Sequence, residues 1–447
     1  MKNRVRLQQW LRCGLEWRLG EMSRNIRLYY LFRALSCAHV FKPFTYFYAR
    51  SRGLSVFQFM ALYAIFSAAV ILLEVPTGAW ADRLGRRRSM AFGAALMGLA
   101  SFGYLIATGF LLFAVFEFVF AAGLTLTSGA DSAFLFDTLR HVGREDDYRR
   151  LEGKASYSKH LGLAVAALVG GALASIDLRL PYVVTGVVSL FAMVVAFGMR
   201  EPAHSSRRRA AMSWREVGDA IRIAGRTIRR GRGLLWAILY SAAIFVLIRM
   251  SDALYQPVLK DLGFGFFAMG AVFAGLNLVA SGAASNVCRL TRWMSDLRAM
   301  WVLPLTLVVS YLFLDAFGPV TAVVLMVAQY WVTGIYSPFT KSLINHRIDS
   351  SEVRATVLSA ESAIKRTVVA VVSPLLGLII SRFSLQAGLY ACAAVGVVGA
   401  AMVLAMRTSG SGRSKRQTGS STCPPEPAGG KEPGFAVGLG SSGGSGS

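Results

Sequence analysis

Ionisable side chains inside long apolar stretches are the groups whose chemistry most needs explaining here, because a charge in hydrocarbon is costly and is kept for a partner or a task. They are Arg33, Lys42, Glu74, Glu117, Asp131, Arg249, Asp252, Glu361, Lys365 and Arg366. Arg249 with Asp252 at i,i+3, and Glu361 with Lys365 at i,i+4, share one helical face, so each pair can neutralise itself and merely hold helices in register. The other reading is that they join Arg33, Lys42 and Arg366 in lining a solute cavity. Glu117 has no basic residue near it in sequence and is surrounded by Phe116, Phe118 and Phe120, an apolar setting suited to a carboxyl that takes up and releases a proton. Asp131, flanked by Ser128, Gly129 and Ser132, and Glu74 are the further proton candidates. At 1.5 Å per residue, Arg33, Glu74 and Asp131 fall in one layer towards the same side of their stretches, where a salt-bridged cluster is expected.

The elements that must position these groups follow from composition. A chain of 447 residues that is 54% hydrophobic and only 16% charged carries more apolar surface than a soluble core could hide. About twelve stretches approach the roughly 20 apolar residues a spanning helix needs. They are 28–48, 56–81, 90–107, 110–136, 155–175 and 181–199, then 234–258, 264–287, 300–317, 320–343, 355–381 and 385–406. The expected organisation is a cytoplasmic amphipathic segment at 1–26, six helices over 27–200, a linker over 201–233, six more helices over 234–406, and a disordered cytoplasmic tail over 407–447 whose end resembles a flexible fusion linker. In the first segment Leu7, Trp10, Leu11, Leu15 and Leu19 recur among Arg6, Arg12 and Arg18. In the linker a capping box at Ser213 to Glu216 precedes Trp214, Val217, Ile221, Ala224 and Ile228 at helical spacing. Both describe basic helices lying on an inner leaflet.

Basic residues crowd alternate connections, around Arg83 to Arg88, Arg140 to Arg150, Arg200 to Arg232 and Arg289 to Arg298. The positive-inside rule therefore puts both termini in the cytoplasm. A net charge of +24 is spread over helix ends facing anionic headgroups, with no soluble basic domain to make a nucleic-acid surface. Cys13, Cys37, Cys288, Cys392 and Cys423 are scattered and odd in number, suggesting neither disulfides nor a metal site. No cofactor motif and no Gly-x-x-x-x-Gly-Lys loop is present, and no Gly-x-Ser-x-Gly turn occurs outside the linker-like tail. These absences argue against ATP-driven pumping and a membrane-embedded enzyme.

The segment Gly78-Ala79-Trp80-Ala81-Asp82-Arg83-Leu84-Gly85-Arg86-Arg87-Arg88-Ser89-Met90 is an arginine-rich turn between two spans. It resembles the loop between the second and third helices of major facilitator superfamily transporters, G-x-L-A-D-R-x-G-R-(R/K)-x-x-L, with only Trp80 and Met90 departing. The resemblance implies an all-α integral membrane protein of twelve transmembrane helices in two pseudo-symmetric six-helix bundles. It implies a conformational gate of Gly78, Asp82, Arg83, Gly85, Arg86, Arg87 and Asp137, in which Asp82 sits against the start of the eleventh helix near Ala355 and Arg86 pairs with Asp137. The second-half counterpart, Cys288 to Arg298, retains Arg289, Arg292 and Asp296. A family pattern on the fifth helix, G-P-x-x-G-G, survives as Gly170 and Gly171, and Pro374 and Gly377 mark its symmetry mate on the eleventh; close helix packing is the role expected of them. The implied activity is alternating-access transport of a small organic molecule across a bacterial-type cytoplasmic (inner) membrane, coupled to protons, by a monomer. Efflux of a drug or metabolite is the first expectation. Uptake of an anionic nutrient, with the buried basic residues as its clamp, and a non-transporting sensor are the alternatives. Aromatics expected on the cavity walls, among them Tyr46, Phe57, Phe116, Phe120, Tyr240, Tyr255 and Tyr330, would suit a large, partly apolar or cationic solute.

Overall fold

The computed structural model describes residues 22–201, 231–286, 296–348 and 351–410, with four further positions between 222 and 228. The amphipathic helices expected in 1–21 and in the linker, the tail beyond 410 and most of the Cys288 to Arg298 counterpart lie outside the described residues. Everything described is helix or connection, with no strand among the described residues. In chain order the helices are α1 (22–37), α2 (Thr45–Ser51), α3 (Val56–Leu84), α4 (Arg86–Ile106), α5 (Gly109–Ser128), α6 (Ala130–His141), α7 (Tyr148–Ala174) and α8 (Leu180–Gly198). The second set comprises α9 (Arg232–Asp261), α10 (Phe266–Ser285), α11 (Asp296–Phe313), α12 (Pro319–Asn345), α13 (Ser351–Arg382) and α14 (Leu385–Gly410).

Among the described residues ten helices are long and apolar enough to cross a membrane, α5 and α6 counting as one of them, and α11 contains a shorter apolar run. With the first span, broken into α1 and α2, this is consistent with the twelve expected. The protein is a multi-pass, all-α membrane protein. Large apolar side chains such as Leu72, Leu111, Val165, Val324 and Val397 are exposed, as they must be where the solvent is lipid.

Two of the spans are not continuous helices. The first breaks at 38–44, where a short 3-10 turn, Lys42–Phe44, carries Pro43 in its first positions. Proline lacks an N–H and its ring clashes with the carbonyl four residues back, so an α-helix cannot run through it undisturbed. The backbone N–H groups of Val40 and Phe41 donate instead to Thr185 Oγ1 on α8, at 3.0 and 3.4 Å. The fourth span breaks at Gly129, between α5 and α6.

Packing in the first set is repeated in the second. α4 lies against α8 and α5, and its counterpart α11 lies against α14 and α12; α3 packs on α5 as α10 does on α12. Between the sets, α3 packs on α13 and α7 on α10, while α2 and the Lys42–Phe44 turn meet α9. Exchange of the two sets maps the first two contacts onto each other and leaves the third in place, the signature of a two-fold repeat. Missing side chains make the approach possible. A Cβ on Gly171 of α7 would stand 2.9 Å from Gly270 Cα of α10, and one on Gly377 of α13 would stand 2.7 Å from Met60 Cβ of α3. Gly170 lies against the Val40 carbonyl at the break in the first span.

Candidate functional site

The break in the first span is where the two sets of helices are tied. Lys42 Nζ lies 2.8 Å from Asp252 Oδ2 on α9. Arg249, expected as the partner of Asp252, is farther away at 3.8 Å, and Tyr330 on α12 donates to Asp252 Oδ1 at 2.9 Å. One turn along α9, Gln256 Oε1 accepts from the Tyr46 backbone N–H at 2.8 Å, and its amide nitrogen reaches Thr45 Oγ1 at 3.2 Å and the Lys42 carbonyl at 3.4 Å. Spacing on one helix pointed to a local Arg249–Asp252 pair; the shorter contact is across sets, because breaking the first span turns Lys42 towards α9.

Beside this tie lies a cavity of about 380 Å³, walled by both sets. Its polar lining is Cys37, His39, Lys42, Thr45, Glu117, Lys159, Arg249 and Arg366, with the Tyr63, Tyr104 and Tyr182 rings. Its apolar lining includes Phe41, Phe59, Phe66, Phe113, Phe120 and Phe245. The volume falls in the range of small-molecule sites, about 300–1,000 Å³. Glu117 is half-buried and hydrogen-bonded by the Tyr104 hydroxyl. His39 packs edge-on to Phe120, with ring centres 5.0 Å apart, and its buried Nε2 has no partner among the described residues.

The remaining site residues expected from sequence separate into distinct groups. Arg33 forms an ion pair with buried Asp131, whose Oδ1 also accepts from the Ser132 N–H at 2.5 Å. Asp131 is thus a carboxylate already held by a guanidinium and not an acid standing alone. Glu74 does not join them: it is exposed, and its charged neighbour is Arg366 on α13. Equal depth put the three in one layer, but depth alone does not set which neighbours a side chain meets. Glu361 and Lys365 pair at 2.8 Å as spaced, with Ser241 donating to Glu361 at 2.6 Å and the Lys365 ammonium 5.2 and 5.7 Å from the ring centres of Phe245 and Tyr336. Of the expected cavity residues, Lys42, Arg249 and Arg366 line the large cavity, and Asp252 lines a smaller pocket beside it. Phe57 is exposed, Tyr240 and Tyr255 are sealed in the core, and Phe120 is the one aromatic of that named set in the large cavity. Lys159 and His39 were missed. Lys159 lies inside the fifth apolar stretch, four residues from its start, and was legible as a charge within a span; Pro43 was legible as a break.

The arginine-rich turn is tighter than expected. α3 runs on through Gly78, Asp82 and Arg83 to Leu84, α4 begins at Arg86, and Gly85 alone stands between them, with φ +92°. That region of φ favours glycine. Asp82 pairs with Arg86 at 2.7 Å, and Arg86 lies 3.8 Å from Asp137; the side chains at 351–353 and 355, where its contact with α13 is expected, lie outside the described residues. Glu201, just beyond the expected end of the first six helices, accepts from the Arg86 N–H at 2.7 Å and the Arg87 N–H at 2.9 Å, and Arg87 donates to the Met199 carbonyl at 3.1 Å. A carboxylate on the free N–H groups of a helix start complements their partial positive charge.

A membrane protein of two repeated helix sets around a central cavity, tied at one end and turned sharply at the other, has the architecture of a solute transporter. The sequence profile of the Major Facilitator Superfamily matches residues 29–360, and the chain belongs to that superfamily. It is 23% identical over 253 residues to the uncharacterized MFS-type transporter YxaM of Bacillus subtilis (strain 168), a match covering 55% of this chain and 62% of that protein. The chain thus spans less than two thirds of this relative's length. Among solved structures, a variant of the nucleoside transporter NupG superposes with a TM-score of 0.74 at 12% identity, covering 86% of this chain and 99% of that one. A bacterial homolog of the human lysosomal transporter Spinster, in an inward-facing and unoccupied conformation, gives 0.69 at 17% identity, covering 88% and 97%. At these identities the likeness is one of fold.

Proposed function

We propose that this transporter exports a small organic solute across the cytoplasmic membrane by alternating access, driven by protons that enter through Glu117. The observation that carries the reading is the placement of Glu117 on the wall of the 380 Å³ cavity, hydrogen-bonded to Tyr104 and with Arg249 as its charged neighbour. A carboxyl that shares a cavity with the solute can exchange one for the other. With the arginine-rich turn in the cytoplasm, the tie of Lys42, Thr45 and Tyr46 to Asp252 and Gln256 of α9 closes the outer end, and the protein faces inward. The halves 27–200 and 234–406 then rock about the α3–α13 and α7–α10 contacts, with Asp82, Arg86 and Asp137 rearranging on the inner side.

Full-length protein in vesicles, given an imposed pH gradient and a panel of labelled aromatic acids, drugs and nucleosides, tests the reading. Movement of a solute against the proton gradient is expected for the wild type. Glu117→Gln should lower gradient-driven flux about tenfold or more while exchange of solute across the membrane persists. Flux that ignores the gradient in both proteins would remove the proton role, and binding without any movement would make the protein a sensor.

A further inference from the structure

The cavity holds more positive charge than its own acids use. Asp252 is taken up by Lys42, Arg249 and Tyr330, and Glu117 is bonded by Tyr104 with Arg249 as its charged neighbour. Lys159 on α7 and Arg366 on α13 also line the cavity, and neither has an ion-pair partner within 4 Å among the described residues. The buried Nε of Arg366 has no hydrogen-bond partner either. At 1.5 Å per residue, Lys159 lies about 6 Å and Arg366 about 16 Å inside the apolar stretches 155–175 and 355–381 that contain them, so both stand within the span. Each set of helices thus offers to the same space one cation without an ion-pair partner in contact, Glu74 being the charged neighbour of Arg366. An isolated cation at such depth is costly, and an anion arriving from solution recovers part of that cost.

The rest of the lining narrows the class. Phenylalanine and tyrosine rings make up most of the wall between the charges, a surface that holds a flat apolar body and offers few partners to a polyhydroxylated one. Aromatic walls alone would also welcome a cation, but a cation would enter beside Lys42, Lys159, Arg249 and Arg366. We propose that the solute is an organic anion with an aromatic body, its carboxylate met by Lys159 of the first half and Arg366 of the second. This assignment rests on the transport reading and deepens it. Lys159 is the residue it adds to the site.

Binding to the purified full-length protein tests the class with three probes of one shape: 2-naphthoate, 2-naphthamide and 2-naphthylmethylammonium. The carboxylate should bind about tenfold or more tightly than the amide, with the ammonium weakest. Lys159→Gln and Arg366→Gln should each weaken 2-naphthoate about tenfold, whereas Lys159→Arg should stay within about threefold of wild type. Monodispersity and an unchanged unfolding midpoint without ligand verify the folding of each variant; should a variant misfold, the ranking of the three probes on wild type decides by itself. The proposal is overturned if the ammonium binds as tightly as the carboxylate, if the carboxylate does not bind, or if both glutamine variants keep wild-type affinity. Failure of this ranking leaves transport intact, since the vesicle measurement tests movement whatever the solute's charge.

Discussion

Asp252 gathers Lys42 at 2.8 Å, Tyr330 at 2.9 Å and Arg249 at 3.8 Å, and of these only Lys42 comes from the first half. Losing one partner of a fully buried ion pair costs about 3–5 kcal/mol. Lys42 is 43% exposed, and solvent screening reduces the figure to about 1 kcal/mol. Asp252→Asn should therefore loosen the tie without unfolding the protein. A cysteine placed at Thr45 should react with an impermeant maleimide about fivefold faster in that background; an unchanged rate would show that Gln256 holds the end shut alone. Single residues also show why local spacing misleads. Glu361–Lys365 pairs as its i,i+4 spacing implies, whereas Arg249–Asp252 cedes its closer contact to a lysine more than two hundred positions away.

Breaks and caps decide what the elements present. The interrupted first span brings His39 and Lys42 to the cavity and leaves Val40 and Phe41 N–H groups to Thr185; non-helical backbone at such depth survives only where protein satisfies it. Glu201 does the equivalent task at the start of α4, covering the N–H groups of Arg86 and Arg87. Glu201→Ala should cost about 1 kcal/mol, the usual worth of a helix cap, and lower the thermal midpoint by a few degrees. A midpoint equal to wild type would mean that water replaces the carboxylate. The turn motif was legible in sequence as a sharp hinge. That the hinge is Gly85 alone, and that its support comes from a glutamate 115 positions on, was not, because an N-cap supplied by a distant segment leaves no local pattern.

Across the whole molecule, the two sets approach most closely between α7 and α10 at glycines, Gly171 and Gly270. A leucine at Gly171 would meet Gly270 Cα and the Phe266 carbonyl, both 2.9 Å from its Cβ. Overpacking of this kind costs about 1–3 kcal/mol, which is about 5- to 150-fold in the balance between two conformations. Gly171→Leu should shift the population towards the state open at that end, read as faster labelling of the Thr45→Cys probe. Slower labelling, or none, would show that the contact does not bear on closure.

Hydrophobicity and span length are properties of contiguous residues, and a spanning helix satisfies its own backbone wherever it lies in the bilayer. A membrane protein built of repeated helices, with a sharp arginine-rich hinge and acids and bases buried among them, was therefore determined by the sequence alone. The tertiary structure decided which charges meet, that Glu74 stays apart from the Arg33–Asp131 pair while Lys159 lines the cavity, and which aromatics wall it. Helices apolar on nearly every side carry no stripe that fixes their rotation. Only packing against neighbours sets it, and with it which charges pair across helices and which line the cavity.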